Sequence, residues 1–519
     1  MKPIRLMAGF FTVGIWTLLS RVLGFARDIM IAAFLGTGPV AEAFLIAFSL
    51  PNLFRRFFAE GAFNMAFVPM FSKKLEADDG AHKFAQDAFV GLAGILTIFT
   101  IIAVILMPAL VVMMASGYLG TERFDLAVYY GRIAFPYILF ISLSALLSGV
   151  LNATGRFAAA AAAPVLLNII FIIALLGSAV FGNRAPPQIG TALAYAVPVA
   201  GIAQMMLVWF AAKRAGFALL PGWPTFTPEL KRLAIIAAPA ALAGGVVQIN
   251  LLVGRQVASF FDGAVAWLNY ADRLYQLPLG VVGIAIGVVL LPDLSRRLRS
   301  GDDAGGRDAF NRATEVSLAL TVPAAIALMV IPLPLVSVLY ERGAFTSDDT
   351  AATAIAVAIY GLGLPAFVLQ KTLQPLYFAR EDTKRPFYYA LVALALNAAL
   401  AIGLSPLIGF TAAAIGTTLT GWATVALLWR GSRRMGSAAQ LDARFKRRVW
   451  RILLAAIGMG LILAFVATVM KPFFGIAGMR YVALVLLVII GMTSYFALGH
   501  MVGAFRLSEF RQAMRRQER

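Results

Sequence analysis

Residues 20–28 read SRVLGFARD and interrupt an apolar run that extends from residue 6 to residue 35. The run is longer than the roughly 20 residues that a helix needs to cross the hydrocarbon core of a bilayer. Arg21, Arg27 and Asp28 therefore fall at membrane depth, where a charged side chain costs about 2.5 to 3.5 kcal/mol on insertion scales. Such charges commonly face a polar cavity or a charged partner. The stretch predicts a spanning helix with a functional charge.

A second stretch of this kind lies in the next apolar run, residues 41–72. Residues 50–63 read LPNLFRRFFAEGAF and place Arg55 and Arg56 between apolar flanks. Neighbouring residues of a helix point about 100° apart, so at most one of the two arginines faces a cavity squarely. Several converging guanidinium groups are balanced most simply by an anion, and phosphate matches their geometry. The sequence thus favours a transporter of an acidic cargo.

The composition is that of a polytopic membrane protein. Hydrophobic residues make up 61% of the chain and charged residues 13%, and the mean hydropathy of +0.85 lies far above that of soluble proteins. The first run follows a basic start without a small-x-small cleavage site, so it is predicted to be a retained spanning helix and not a signal peptide. The apolar runs predict about fourteen transmembrane helices, near residues 6–35, 41–72, 85–115, 124–151, 158–182, 189–212, 230–260, 264–294, 313–339, 350–379, 386–408, 410–429, 450–470 and 479–504.

The positive charge is distributed as a membrane topology requires. The net charge is +19, but 31 of the 44 Lys and Arg residues lie in alternate loops and at both termini, against five in the other loops. Lys and Arg favour cytoplasmic loops, so both termini are predicted to be cytoplasmic. The basic residues are explained without nucleic acid. The chain has no Cys and only His82 and His500, so no metal or redox cofactor is predicted.

A weak internal repeat divides the predicted helices. One landmark triplet recurs with identical spacings of 20 and 12 residues, as Pro136, Arg156 and Asn168 and again as Pro365, Arg385 and Asn397. An offset of six helices preserves orientation, so the repeats are predicted to be parallel, with a binding cavity between them. The predicted domains are an N-terminal six-helix lobe at 1–218, a C-terminal six-helix lobe at 219–436, and two additional helices with a basic tail at 437–519.

Catalytic signatures are absent from the sequence. There is no GxxxxGK[ST] phosphate loop, no HExxH and no GxSxG, and the loops are too short for a soluble catalytic domain. The chain is therefore predicted to transport and not to catalyse. A purely structural ion-pair network is the alternative for the charges, because Asp28 follows Arg27 at once and Glu60 lies one helical turn after Arg56.

Six further polar residues have two interpretations each. Four amides, Asn168, Gln248, Asn250 and Asn397, either coordinate a coupling ion or make interhelical hydrogen bonds. Arg255 and Lys371 either line the second lobe or extend toward the membrane surface. The sequence leaves both pairs of alternatives open, and with them the energy source, which is either a coupling ion or the membrane potential.

Four motifs together resemble the MurJ (MviN) family of bacterial lipid II flippases. They are SRVLGFARD at 20–28, LPNLFRRFFAEGAFNMAFVP at 50–69, PYILFISL at 136–143 and YADR at 270–273. The resemblance covers essentially the whole chain. That family belongs to the multidrug/oligosaccharidyl-lipid/polysaccharide exporter superfamily, whose two six-helix lobes agree with the repeat, and its members carry two extra C-terminal helices.

The resemblance implies a substrate and a site. Lipid II, an undecaprenyl diphosphate bearing a disaccharide-pentapeptide, would move from the cytoplasmic to the periplasmic leaflet of the bacterial inner membrane, with the peptidoglycan synthesis machinery as a possible partner. Arg27, Arg55 and Arg273 would hold the diphosphate, Arg21 would lie in the same cavity, and Asp28 would orient or partly neutralise an arginine. Two positions depart from some relatives, which carry a Ser and a Glu at the positions of Ala266 and Gln276.

Three other functions compete with this one. The nearest is a flippase for another glycan linked to polyprenyl diphosphate. An integral-membrane glycosyltransferase would also grip a diphosphate, but it needs acidic catalytic residues at an exposed membrane edge. A scaffold that recruits cell-wall enzymes would tolerate the loss of the arginines. A multidrug exporter is disfavoured because organic cations call for carboxylates in the cavity.

Overall fold

The computed structural model describes residues 3–55, 62–181, 185–223, 225, 227–285 and 290–504. All regular secondary structure in these ranges is helical, as predicted. The described α-helices are α1 Pro3–Leu35, α2 Pro39–Arg55, α3 Ala62–Glu76, α4 Ala81–Ile105, α5 Met107–Ala115, α6 Glu122–Ala134, α7 Tyr137–Ala153, α8 Ala158–Val180, α9 Pro186–Arg214, α10 Pro228–Ala258, α11 Ala264–Ala285, α12 Leu291–Arg299, α13 Asp303–Val330, α14 Pro332–Tyr340, α15 Ser347–Phe378, α16 Lys384–Ile408, α17 Thr411–Ser432, α18 Ala443–Phe474 and α19 Met479–Met501.

Ten segments of the described chain are long and apolar enough to cross a membrane, and each coincides with a predicted span. Two of the four remaining predictions, 41–72 and 264–294, include residues 56–61 and 286–289, which lie outside the described residues. The other two predictions coincide with helices α1 and α10. The protein is thus a multi-pass membrane protein, while the total of fourteen spans stays a prediction.

Prolines divide three of the predicted spans into two helices each. Pro108 lies in the first turn of α5, Pro136 precedes α7, and Pro332 begins α14. A proline lacks the backbone N–H that would continue the preceding helix, but its fixed φ suits a first turn. The chain therefore has more helices than apolar runs.

The chain packs as two compact units. The first consists of Met1–Ala266 together with Arg342–Phe345, and the second of Trp267–Glu341 and Thr346–Arg519. In the first unit, α1 packs on α8, and α2 packs on α6. Helices α7 and α8 both pack on α9, and α10 packs on α3. In the second unit, α13 packs on α15 and α18, and α17 on α15 and α16. The three domains predicted from the repeat are defined by sequence landmarks and stay a prediction.

A tetrapeptide, Arg342–Phe345, packs with the first unit although it lies between α14 and α15. The Ala344 N–H donates to the carbonyl oxygen of Ala33 at the end of α1, at 2.8 Å. Gly36 and Gly343 flank this hydrogen bond with φ values of +61° and +60°. A Cβ atom on Gly36 would lie 2.4 Å from the Ala344 oxygen, and one on Gly343 would lie 2.2 Å from the Ala33 oxygen. Backbone meets backbone here at a distance that only glycine allows.

In the second unit, α18 is attached to α13 by charge. Glu315 of α13 has a side chain only 8% exposed and pairs with Arg312 of its own helix. Arg448 of α18 reaches the same carboxylate at 2.5 Å, and Arg444 approaches it at 3.6 Å. Arg312 also pairs with Asp442, whose carboxylate caps the N-terminus of α18. A buried carboxylate surrounded by arginines of two helices fixes their register.

Apolar packing continues the same contact further along α13, α18 and α19. A buried cluster joins α18 and α19 with the turn that precedes α14, and its members are Ile331, Ala455, Ala456, Met459, Leu463, Leu487 and Tyr495. Val322, Ile326 and Ala327 of α13 are partly buried and pack against this cluster. The Tyr495 hydroxyl donates to the carbonyl oxygen of Ala319 at 2.7 Å. Helices α18 and α19 are therefore an integral part of the second unit.

Candidate functional site

Arg27 and Asp28 form a buried ion pair on α1. Arg27 is 7% exposed and Asp28 is 6% exposed. The Nη2 and Nε atoms of Arg27 donate to Oδ1 of Asp28 at 2.7 and 3.0 Å. The pairing that the sequence suggested between these neighbours is therefore present. It lowers the cost of holding a guanidinium among apolar helices, because a buried charge is tolerated when it is paired and hydrogen-bonded.

Asn168 of α8 completes the surroundings of Arg27. The Arg27 Nη1 donates to Asn168 Oδ1 at 2.9 Å, and the central carbon of the guanidinium lies over the Phe171 ring, 5.5 Å from its centroid. Asn168 Nδ2 donates to the carbonyl oxygen of Ser20 at 2.9 Å. Of the two roles considered for Asn168, an interhelical hydrogen bond or a ligand for a coupling ion, the structure shows the hydrogen bond. The sequence did not assign Asn168 to the site, although its recurrence in the landmark triplet marked it as unusual.

The other predicted site residues occupy different environments. Arg21 is exposed on α1, and Arg55 is half-buried at the end of α2. Arg273 is half-buried on α11, in the second unit. The structure therefore brings Arg27 and Asp28 into direct contact, while Arg56 and Glu60, the other pair considered from the sequence, lie outside the described residues.

The carboxylate beside Arg273 has a partner on its own helix. Gln276 donates to Asp272 Oδ2 one turn along α11. Gln276 is one of the two positions that depart from some relatives. Its amide is hydrogen-bonded to one oxygen of the Asp272 carboxylate. Ala266, the other such position, is fully buried at the end of the first unit.

In the part of the chain that the structure describes, Glu42 pairs with Arg123 and not with the proposed site arginines. Its side chain is fully buried, its Oε1 accepts from the Val265 N–H at 3.0 Å, and its Oε2 lies 3.3 Å from Arg123 Nε. Arg123 also pairs with Asp262 and lies over the Tyr118 ring. This cluster joins α2, the start of α6 and the turn before α11. The negative charge of Glu42 is therefore matched locally by Arg123.

The remaining polar residues singled out from the sequence are spread over both units. Asn250 and Arg255 are half-buried on α10, Lys371 is exposed on α15, and Asn397 is buried on α16. Asn397, the counterpart of Asn168 in the repeat, is 1% exposed. Their alternative interpretations stay predictions.

Comparison with known proteins gives the family. The sequence model described as "Lipid II flippase MurJ" matches residues 31–491. A Rhizobium tropici protein called "Probable lipid II flippase MurJ" is 43% identical over 99% of this chain and 97% of its own length. The "Lipid II flippase MurJ" of Burkholderia cenocepacia is 35% identical over 83% of this chain and 85% of its own length.

Solved structures agree with the sequence comparison. A lipid II flippase MurJ in an inward closed conformation matches with a TM-score of 0.78 and 26% identity, over 94% of this chain and 98% of that one. An inward-facing MATE family transporter of the MOP superfamily matches with a TM-score of 0.66 over 82% of this chain and 96% of that one, and at 13% identity it shares the fold alone. With a family match over most of its length, a full-length relative at 43% identity and this structural likeness, the chain belongs to the MurJ lipid II flippase family.

Proposed function

We propose that this protein is a lipid II flippase of the bacterial inner membrane. It moves lipid II, an undecaprenyl diphosphate with a disaccharide-pentapeptide, from the cytoplasmic to the periplasmic leaflet by alternating access. The observation that carries the proposal is the Arg27 guanidinium, which is buried among the apolar helices of a protein of this family. A charge at such a position is costly, and ionisable groups kept there commonly mark a transport path.

The proposed site residues have different roles in binding the diphosphate. The planar fork of an arginine matches the oxygens of a phosphate group with two parallel hydrogen bonds. The guanidinium groups of Arg27, Arg55 and Arg273 bind the diphosphate during the transport cycle. The exposed Arg21 attracts the diphosphate to α1. Asp28 offsets part of the charge of Arg27, so that the anion is held without being trapped.

The orientation follows from the distribution of basic residues. Both termini and the Lys/Arg-rich loops lie in the cytoplasm. Lipid II reaches the outer leaflet without a covalent change, so the protein is a transporter and not an enzyme. The machinery that polymerises peptidoglycan at the periplasmic face consumes the flipped lipid and is its expected functional partner.

The test is the rescue of a strain from which the endogenous flippase is depleted. Arg27, Arg55 and Arg273 are changed singly to Ala, and Arg132→Ala is the matched control, because Arg132 is an exposed arginine of α6 outside the proposed site. Protein level and the amount of lipid II in the outer leaflet are measured together. We expect wild type and Arg132→Ala to rescue, while the well-expressed site variants lyse with lipid II trapped inside.

Other outcomes contradict the proposal in different ways. Rescue by all three site variants would make the arginines structural and favour a scaffold. A wild-type protein that fails to rescue but exports another polyprenyl-diphosphate glycan would identify a different cargo. Consumption of lipid II by the purified protein would point to a glycosyltransferase.

A further inference from the structure

We infer that Asn168 is a positioning residue for Arg27, the arginine proposed above to bind the diphosphate of lipid II. The inference rests on that proposed function and adds to it a residue on another helix, 141 positions along the chain. Asn168 acts through Arg27, by holding the guanidinium in one orientation.

The guanidinium of Arg27 is fixed on several sides but not saturated. An arginine has five N–H donors. Among the residues that the structure describes, Asp28 accepts from Nε and Nη2, and Asn168 accepts from Nη1. The guanidinium also lies over the Phe171 ring, with its central carbon 5.5 Å from the ring centroid. Two N–H donors, one on each terminal nitrogen, are thus left for the oxygens of an anion.

Asn168 itself has only one orientation that satisfies its neighbours. Its Nδ2 donates to the Ser20 carbonyl oxygen at 2.9 Å and lies 3.3 Å from the Ser20 hydroxyl. A guanidinium has no acceptor, so the amide oxygen and not the amide nitrogen must face Arg27. With its oxygen bonded to a cationic donor, Asn168 is occupied by Arg27 and is a poor ligand for a coupling cation.

The contact is built into the matching faces of two helices. Ser20, Gly24 and Arg27 follow one another at the i, i+4 and i+7 positions of α1, which lie on one face. A Cβ atom on Gly24 would lie 3.5 Å from Asn168 Oδ1, an ordinary van der Waals distance, so the amide lies directly against this face of α1.

The facing side of α8 has the same spacing. Pro164, Asn168 and Phe171 also occupy i, i+4 and i+7 positions, and the Pro164 carbonyl oxygen lies 3.4 Å from Asn168 Nδ2. The amide is therefore held by both helices, and the packing of α1 on α8 sets the position of the Arg27 guanidinium.

A fixed guanidinium binds an anion more tightly than a mobile one, because less side-chain freedom is lost on binding. Without Asn168, the Arg27 side chain retains Asp28, whose carboxylate competes with the anion. We therefore expect Asn168→Ala to weaken diphosphate binding roughly 10-fold, the scale of one hydrogen bond to a charged group.

The experiment is a double-mutant cycle on the full-length protein in lipid nanodiscs. The dissociation constant of undecaprenyl diphosphate is measured for wild type, Asn168→Ala, Arg27→Ala and the double variant. We expect Asn168→Ala to weaken binding when Arg27 is present and to have no further effect when it is absent. Asn168→Ser, which keeps a small polar side chain too short to reach Arg27, is a second variant should Asn168→Ala fold poorly.

Gln204→Ala is the matched control. Gln204 is a buried amide of the same unit that joins helices through the Ala163 carbonyl oxygen and the Tyr137 hydroxyl, away from Arg27. We expect this variant to lower the melting temperature and to leave the dissociation constant unchanged. A structural role of Asn168 would produce that same pattern.

The result can overturn the inference separately from the proposed function. Equal weakening by Asn168→Ala with and without Arg27, no weakening at all, or binding that does not depend on Arg27 would each refute a positioning role. Lipid II movement by the wild-type protein is measured in parallel in proteoliposomes. Coupled binding without movement of lipid II would retain the role of Asn168 and reject the flippase.

Discussion

Arg27 makes contacts that the shape of a guanidinium allows and an ammonium does not. It donates to Asp28 along one edge and to Asn168 from another nitrogen while it lies over the Phe171 ring. A lysine carries the same charge as a compact point on a flexible stem and lacks the planar fork. At this position the geometry of the side chain therefore matters as much as its charge.

Arg27→Lys is expected to lose at least about 10-fold in the rate of lipid II movement, because the ammonium cannot hold Asp28, Asn168 and a diphosphate in one plane. The rate is measured in proteoliposomes, with Arg132→Lys as the control for an arginine outside the site. A rate near that of wild type for Arg27→Lys would show that charge alone is sufficient.

The sequence indicated part of the proposed site and left out part of it. Arg27 and Asp28 were recognisable because a charge within an apolar run is conspicuous wherever the chain folds. Asn168 was not assignable, since asparagine in a spanning helix commonly makes a hydrogen bond of no functional consequence. The role proposed for Asn168 depends on the packing of α1 against α8, which no local pattern specifies.

At the scale of elements, the apolar runs predicted where helices lie. They did not predict where prolines divide a run into two helices. Ten predicted spans have helical counterparts that meet the length and composition of a membrane crossing. The breaks at Pro108, Pro136 and Pro332 are explained by the proline ring, yet prolines also lie inside helices, as Pro198 does in α9. Whether a proline ends a helix depends on how neighbouring helices satisfy the freed carbonyl groups.

The junction between α1 and the tetrapeptide Arg342–Phe345 provides an element-scale prediction. Gly343→Ala is expected to break the hydrogen bond from Ala344 to Ala33, because the added Cβ would lie 2.2 Å from the Ala33 oxygen. The expected loss is about 1 to 3 kcal/mol of stability, with faster hydrogen exchange at the Ala344 amide.

Gly80→Ala is the control for this prediction. Gly80 has a φ of +61°, and a Cβ atom there would meet nothing within 4 Å. That variant isolates the backbone strain of a positive φ, about 1 kcal/mol, from the steric clash. Equal thermal unfolding and unchanged Ala344 exchange in the two variants would refute a tight junction.

At the scale of the whole molecule, we expect the membrane potential to act on the anionic cargo. Moving one negative charge outward across a membrane whose inside is negative gains about 2.3 kcal/mol per 100 mV. The diphosphate of lipid II is anionic, so the potential itself favours export. We propose that the potential contributes to the energy of export, which would then need no ATP, and the sequence has no GxxxxGK[ST] loop.

Net export is therefore expected to depend on the membrane potential. In proteoliposomes with a potassium gradient and valinomycin, a potential of about 100 mV should shift the final lipid II distribution by about 50-fold for each charge moved. A pH gradient without a potential is the control. The same distribution with and without the potential would mean that another gradient drives transport.

Glu315 also has a consequence for the synthesis of the chain. Its carboxylate pairs with Arg312 of its own helix, but Arg448 of α18 is made 133 residues later. At about 5 to 20 residues per second, that separation corresponds to roughly 7 to 27 s of translation. During this interval Glu315 has Arg312 and lacks both arginines of α18. A nascent chain that stalls before α18 therefore carries an incompletely neutralised carboxylate, and the second unit completes its packing only when that helix arrives.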